Sequence, residues 1–228
     1  MTGADAGTDT SGASETGQAR MAFILHLRER GIADVNVLRA LETVPRESFV
    51  PRRYGDLAWR DVALPIACGQ VMPDPFVVAR TMEALALDKS LRVLEIGAGS
   101  GYSTAILARL AGRVVSFERY RTLALEAQAR LAAIEANNAE VVHDDGLASA
   151  ADYGTFDRIV VHLALPDAPQ ALLDQLTGDG RIVFGRPAGD GKRARLVLQK
   201  TINGGAATET AIADVRFSEP MKGRSRAL

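Results

Sequence analysis

The sequence predicts an α/β fold: a mostly parallel sheet of seven strands with an antiparallel edge, helices on both faces, and a small helical module in front. Three observations carry this. From residue 92 onward, short apolar runs rich in Val and Ile alternate with helical stretches. The runs are apolar throughout rather than at every second residue, the pattern of strands covered on both faces. A glycine loop, Gly97-Ala98-Gly99-Ser100-Gly101, joins one such strand directly to a helix.

The elements follow in order. Residues 1–20 are rich in Gly, Ala, Ser, Thr and acids, with almost no large apolar side chains, which predicts a disordered tail. The tail lacks the basic start and apolar middle of a secretory signal. A helix over Met21–Arg30 closes at Gly31, and Asp34 caps a second helix whose apolar face is Val37, Leu38, Leu41 and Val44. Prolines 45 and 51 break the helical pattern, residues 52–75 form a loop-rich stretch, and a helix follows over Pro75–Leu87. Strands are predicted at 92–96, 113–118, 140–144, 158–164, 181–185, 194–202 and 210–217, with helices at 102–111, 120–137 and 168–177. Asn203-Gly204-Gly205 reads as a hairpin turn, which makes the last two strands antiparallel. The expected organisation is tail 1–20, helical and loop module 21–90, and ligand-binding domain 91–228.

Composition excludes several classes. A net charge of −1 gives no reason to expect a nucleic acid or membrane partner. The single Cys68 rules out an intrachain disulfide framework, which suits a cytoplasmic protein; a monomer or small homo-oligomer is expected. Cys68 has no evident paired base and reads as a packed residue; His26 and His143 read as structural or exposed. No Cys/His cluster has metal-ligand spacing, and no phosphate-binding Gly-x-x-x-x-Gly-Lys loop occurs.

The glycine loop carries the chemistry. Its glycines fall at 97, 99 and 101, with Tyr102 where a dinucleotide fingerprint needs its third glycine. Glu95, just before the loop, sits where a positively charged ligand part can lie. These features favour S-adenosylmethionine, a sulfonium without phosphates, over NAD. Glu118 closes the second strand and can accept both ribose hydroxyls. Asp145 closes the third and can receive an adenine amino group, with Gly146 letting the backbone turn beside the ring. The fourth strand delivers His162 to the same edge, as a site residue or as a satisfied core histidine.

From residue 21 on, the chain resembles the protein-L-isoaspartate (D-aspartate) O-methyltransferases. Arg30-Gly31-Ile32, Val44-Pro45-Arg46-Glu47-Ser48-Phe49-Val50-Pro51, Ala63-Leu64-Pro65-Ile66, Gly69-Gln70, Pro75-Phe76-Val77-Val78-Ala79, Val93 to Tyr102, and Val215-Arg216-Phe217 with Pro220-Met221 carry the likeness. The resemblance implies a Rossmann-like methyltransferase fold, with the 21–90 module covering the active site. It also implies S-adenosylmethionine as cofactor and methyl transfer to the free α-carboxyl of isoaspartyl residues in damaged protein. One departure stands out: aligning Gln70 and Pro75 puts Pro73 where the family carries an active-site serine. Asp74 and His162 are then the candidate catalytic residues. The departure keeps two alternatives open: a methyltransferase for another carboxylate or small molecule, and a weakly catalytic cofactor-binding protein.

Overall fold

A computed structural model of the chain describes residues 10–189, 194–201, 208–217 and 221–225. The first helix, α1, spans Thr10–Glu29. Residues 10–20, expected as tail, therefore belong to a helix, while residues 1–9 lie outside the described residues. No proline interrupts the stretch leading into Met21, and Gln18, Ala19 and Arg20 just before it are good helix formers, so the helix started further downstream can propagate backwards. It ends at Gly31, whose φ of +92° is the left-handed closure expected. Helix α2 (Val35–Thr43) is capped by Asp34, which accepts from Asn36 N and Val37 N at 2.8 and 3.2 Å.

The stretch predicted as loop contains two 3-10 turns, Arg52–Leu57 and Ala67–Gly69, and a small antiparallel pair, β1 (Leu64–Pro65) with β2 (Val71–Met72). Helix α3 (Pro75–Leu85) starts with Pro75 in its first turn.

The strands β3 (Arg92–Ile96), β4 (Arg113–Glu118), β5 (Ala139–His143), β6 (Phe156–Ala164), β7 (Leu176–Pro187), β8 (Ala194–Lys200) and β9 (Thr208–Val215) form one sheet. Its order is β5-β4-β3-β6-β7-β8-β9; pairs up to β6–β7 are parallel, and β7–β8 and β8–β9 are antiparallel. The antiparallel edge is as predicted; the turn at 203–205 lies outside the described residues. Helices α4 (Tyr102–Leu110), α5 (Arg121–Ala133), α6 (Gly146–Ser149) and α7 (Gln170–Leu173) complete the described elements. The helix expected over 168–177 shrinks to four residues, because the chain rejoins the sheet at Leu176, opposite Phe156. Helix α5 stops short of 137 because Glu135 turns to a φ of +55°.

Alternation along the strands divides two cores. Val93, Val114, Val160 and Val183 face α3, α4 and α5 and share their core with Phe23, Leu41 and Phe49 of the N-terminal module. Leu94, Ile96, Val115, Phe117, Ile159 and Phe184 face the opposite side with Leu172. Gly146 sits tightly against the second core, since an added Cβ would lie 2.6 Å from Phe117 Cβ. Gly146→Ala is therefore expected to destabilise the protein by about 1–3 kcal/mol, read as a lower urea midpoint at unchanged slope. Among the described residues no helix is long and apolar enough to cross a membrane.

Candidate active site

The carboxyl ends of β3 to β6 open into a cavity of about 650 Å3. One wall is the glycine loop with Glu118, Asp145 and Gly146; the facing wall is Ile66, Gln70 and Val71–Asp74; the chain's end contributes Val215–Phe217 and Met221. Glycines 97, 99 and 101 have φ values of +95°, +56° and +88°, a region that costs other residues energy. Added Cβ atoms at Gly97 and Gly99 would meet His162 Cβ and Ile66 Cδ1 at 3.3 Å. The loop thus stays bare backbone on the cavity side.

Glu118 holds that loop. Its Oε2 accepts from Gly99 N at 2.8 Å and its Oε1 from Tyr120 N at 2.9 Å. Burial pushes its carboxyl above the usual range and the Glu95 charge adds to this, against the backbone donors.

Glu95 is placed differently from expectation. It is fully buried and does not line the cavity. The strand pleat turns its side chain toward α4 rather than out of the strand end. Register opposes Glu95 to Ser116, whose Oγ donates to Oε2 at 2.7 Å; Thr104 Oγ1 donates to the same oxygen at 2.5 Å. His162 Nε2 lies 2.9 Å from Oε1. Burial opposes ionisation of Glu95, but the His162 hydrogen bond and charge, with the two hydroxyls, outweigh it and hold the carboxyl below its usual value.

Of the other candidates, Asp74 and Asp145 are committed to backbone partners. Asp74 caps α3, accepting from Val77 N at 3.0 Å, and burial raises its carboxyl above the usual value. Pro73 lines the cavity without a hydroxyl or an N–H to offer. Tyr102 borders the cavity but its ring is buried against Phe49, centroids 5.7 Å apart, and its hydroxyl has no hydrogen-bond partner among the described residues. Asp145 caps α6 through Leu147 N and also accepts from Gly223 N at 2.7 Å. Arg224 forks onto both oxygens of Asp144 at 3.0 and 2.7 Å, and Arg119 donates to the carbonyls of Lys222 and Gly223. The chain's end is thereby strapped across the Asp144–Asp145 corner.

The model of the protein-L-isoaspartate(D-aspartate) O-methyltransferase family matches residues 18–224. The chain belongs to this family. It is 47% identical over 209 residues to protein-L-isoaspartate O-methyltransferase 2 of Rhodopseudomonas palustris strain HaA2, covering 92% of this chain and 95% of that one. It is 48% identical over 210 residues to the protein-L-isoaspartate O-methyltransferase of Bradyrhizobium sp. strain ORS 278, covering 92% and 96%. A solved protein-L-isoaspartate O-methyltransferase superposes with a TM-score of 0.77 at 25% identity, over 89% of this chain and 66% of that one.

This isoaspartyl methyltransferase uses S-adenosylmethionine, and its activity is methylation of isoaspartyl residues in protein repair. The cavity suits that cofactor. A bare glycine loop and two strand-end acids match an adenosine, and the Ser103 hydroxyl, buried on the cavity wall, has no hydrogen-bond partner among the described residues. Sequence reading missed Ser103, Gln70 and Met72; for Ser103 a hydroxyl residue in the first turn of the helix after the loop was the available signal.

The strap carries a pH prediction. The Arg224 hydrogen bond pushes the Asp144 carboxyl down to about 2, while unfolded aspartate titrates near 4. A depressed folded value means the contact contributes above about pH 4 and is lost as pH falls through about 2. The Asp144 carboxyl resonance is expected to titrate at about 2, and Arg224→Ala to move that titration up toward the ordinary aspartate value, read by NMR.

Proposed function

We propose that methyl transfer occurs in this cavity, with Glu118 and Asp145 holding the adenosine end and the acceptor carboxylate entering from the β6 and β9 side. The observation that carries the reading is the Glu118–Gly99 hydrogen bond, which ties the ribose acid to the bare loop. Bound S-adenosylmethionine supplies a methyl group on a sulfonium. Glu118 retains lone pairs for ribose hydroxyls beyond its two backbone donors, and Asp145 retains them for the adenine amino group. Ser103, with Gly97 and Gly99, offers close polar contact along the loop. Val71, Met72, Pro73, Phe217 and Met221 make an apolar lining that excludes water. No general base is required, because an ionised carboxylate is already the nucleophile; alignment and dryness are what the chain provides.

The acceptor is a protein or peptide rather than nucleic acid or membrane, which the near-neutral charge supports. A cytoplasmic monomer or small homo-oligomer, with residues 21–90 closing over the 91–228 domain, completes the reading. The test incubates the protein with labelled cofactor and an isoaspartyl peptide beside its aspartyl twin. Label only on the isoaspartyl peptide is the expected result. Cofactor binding without transfer overturns it and leaves the second reading, a different acceptor, which the hydroxyl-free Val71–Asp74 wall favours.

A further inference from the structure

We propose that His162, oriented by buried Glu95, is the residue that anchors the acceptor carboxylate. This rests on the isoaspartyl reading above. Strand order supplies the first argument. Glu118 and Asp145 stand on the β4 and β5 side of the glycine loop, while His162 lies near the end of β6 on the other side, beside Phe217. A cofactor held by the two acids leaves the β6 side to the acceptor.

Charge supplies the second. The cavity wall carries Asp74, Glu118, Asp144, Asp145 and Asp214, a hostile lining for an incoming carboxylate. Against these stand Arg119, Arg216 and His162. Arg119 is engaged by the carbonyls of Lys222 and Gly223, and Arg216 is exposed, where solvent weakens its pull. Val71 and Pro73 offer no side-chain donor, and Pro73 has no N–H. His162 is the enclosed member of the set that no backbone carbonyl engages, with its side chain 11% exposed.

Construction supplies the third. Thr104 and Ser116 both donate to one Glu95 oxygen, so His162 is the partner of the other. The buried carboxylate fixes Nε2 toward itself, leaving Nδ1 without a hydrogen bond among the described residues; an acceptor carboxylate at Nδ1 then requires the imidazole to carry both ring protons. The Phe217 ring, edge to face at 6.0 Å, holds the imidazole plane. His162 is thus the contact residue and Glu95 a positioning residue.

In the reaction a carboxylate oxygen forms a bond to the methyl carbon as the carbon–sulfur bond breaks. The electron pair passes to sulfur, and anion and sulfonium both become neutral; His162 keeps its proton throughout. The acceptor's negative charge therefore fades toward the transition state. A cation beside it binds the ground state at least as well, so its loss falls on KM rather than kcat.

The experiment compares wild type with His162→Ala, His162→Gln, Arg216→Ala and His162→Ala combined with Pro73→Ser. Steady-state methylation of an isoaspartyl peptide is measured, together with direct peptide affinity in saturating S-adenosylhomocysteine, which removes the chemistry. Expected for His162→Ala is a 10- to 100-fold rise in KM and in peptide Kd, with kcat and cofactor affinity near wild type. His162→Gln, which keeps a donor toward Glu95, loses less. The added serine hydroxyl recovers part of the loss. Unchanged peptide affinity in His162→Ala and His162→Gln, an equal loss of cofactor affinity, or a larger loss in Arg216→Ala overturns the proposal. A wild type that does not methylate the peptide overturns the functional reading with it; an active wild type with indifferent His162 variants overturns the anchor alone.

Discussion

Arg46→Met is expected to cost about 3–5 kcal/mol of folding stability. The Arg46 side chain has no solvent exposure. Its Nη1 donates to Ala58 O at 2.7 Å and Arg60 O at 3.1 Å, and its Nη2 to Val62 O at 3.0 Å. Hydrogen bonds from a charged donor contribute about 1.5–3 kcal/mol each and do not add fully, while burying the charge offsets part of the gain. Burial lowers the Arg46 pKa from its ordinary value, yet a guanidinium stays charged. Methionine keeps the bulk and leaves three carbonyls without their donor. The effect extends to the site. The carbonyls belong to the segment carrying Asp61, which accepts from Phe76 N at 2.9 Å and pairs with Arg30. Asp61 thereby ties this segment to the start of α3, directly after Pro73 and Asp74. Urea unfolding should show a lower midpoint at unchanged slope; a loss below about 1 kcal/mol would mean that water replaces the guanidinium at those carbonyls.

Glu118→Ala is expected to weaken S-adenosylmethionine binding by about 3 kcal/mol, on the order of 100-fold, measured by calorimetric titration. Two effects combine. The carboxylate offers charge-assisted acceptors for the ribose hydroxyls, and it also fixes Gly99 N and Tyr120 N. Alanine removes both, so the loop loses its tether as the ligand loses its partner. Glu118→Gln retains one oxygen but turns an N–H2 toward a backbone donor, so it is expected to recover little. Affinity within threefold of wild type in both variants would remove Glu118 from the cofactor site.

Much of this was legible in the chain. Apolar runs with β-branched residues marked the strands, and the spacing of glycines 97, 99 and 101 marked the loop, because both are local consequences of backbone geometry. Glu118 and Asp145 were legible because strand ends in a parallel sheet converge on one edge. Glu95 was misplaced as a cavity residue: sequence position gave its nearness to the loop, but the pleat decided its direction. Asp74 preceded a helix-starting proline, a capping signature that explains its Val77 hydrogen bond better than catalysis does.

The sequence by itself determined the sheet, its antiparallel edge and the acids at its carboxyl end, since each follows from neighbours along the chain. Only the tertiary structure decided what those groups do together. Cross-strand register set Ser116 against Glu95, and β6 then brought His162 to the same buried carboxylate from 67 residues away. The strap of Gly223 and Arg224 reached Asp145 and Asp144 from nearly 80 residues away. No spacing rule encodes such contacts. They arise because folding excludes water from groups distant in sequence, and a buried charge must then find its partners wherever the packing delivers them.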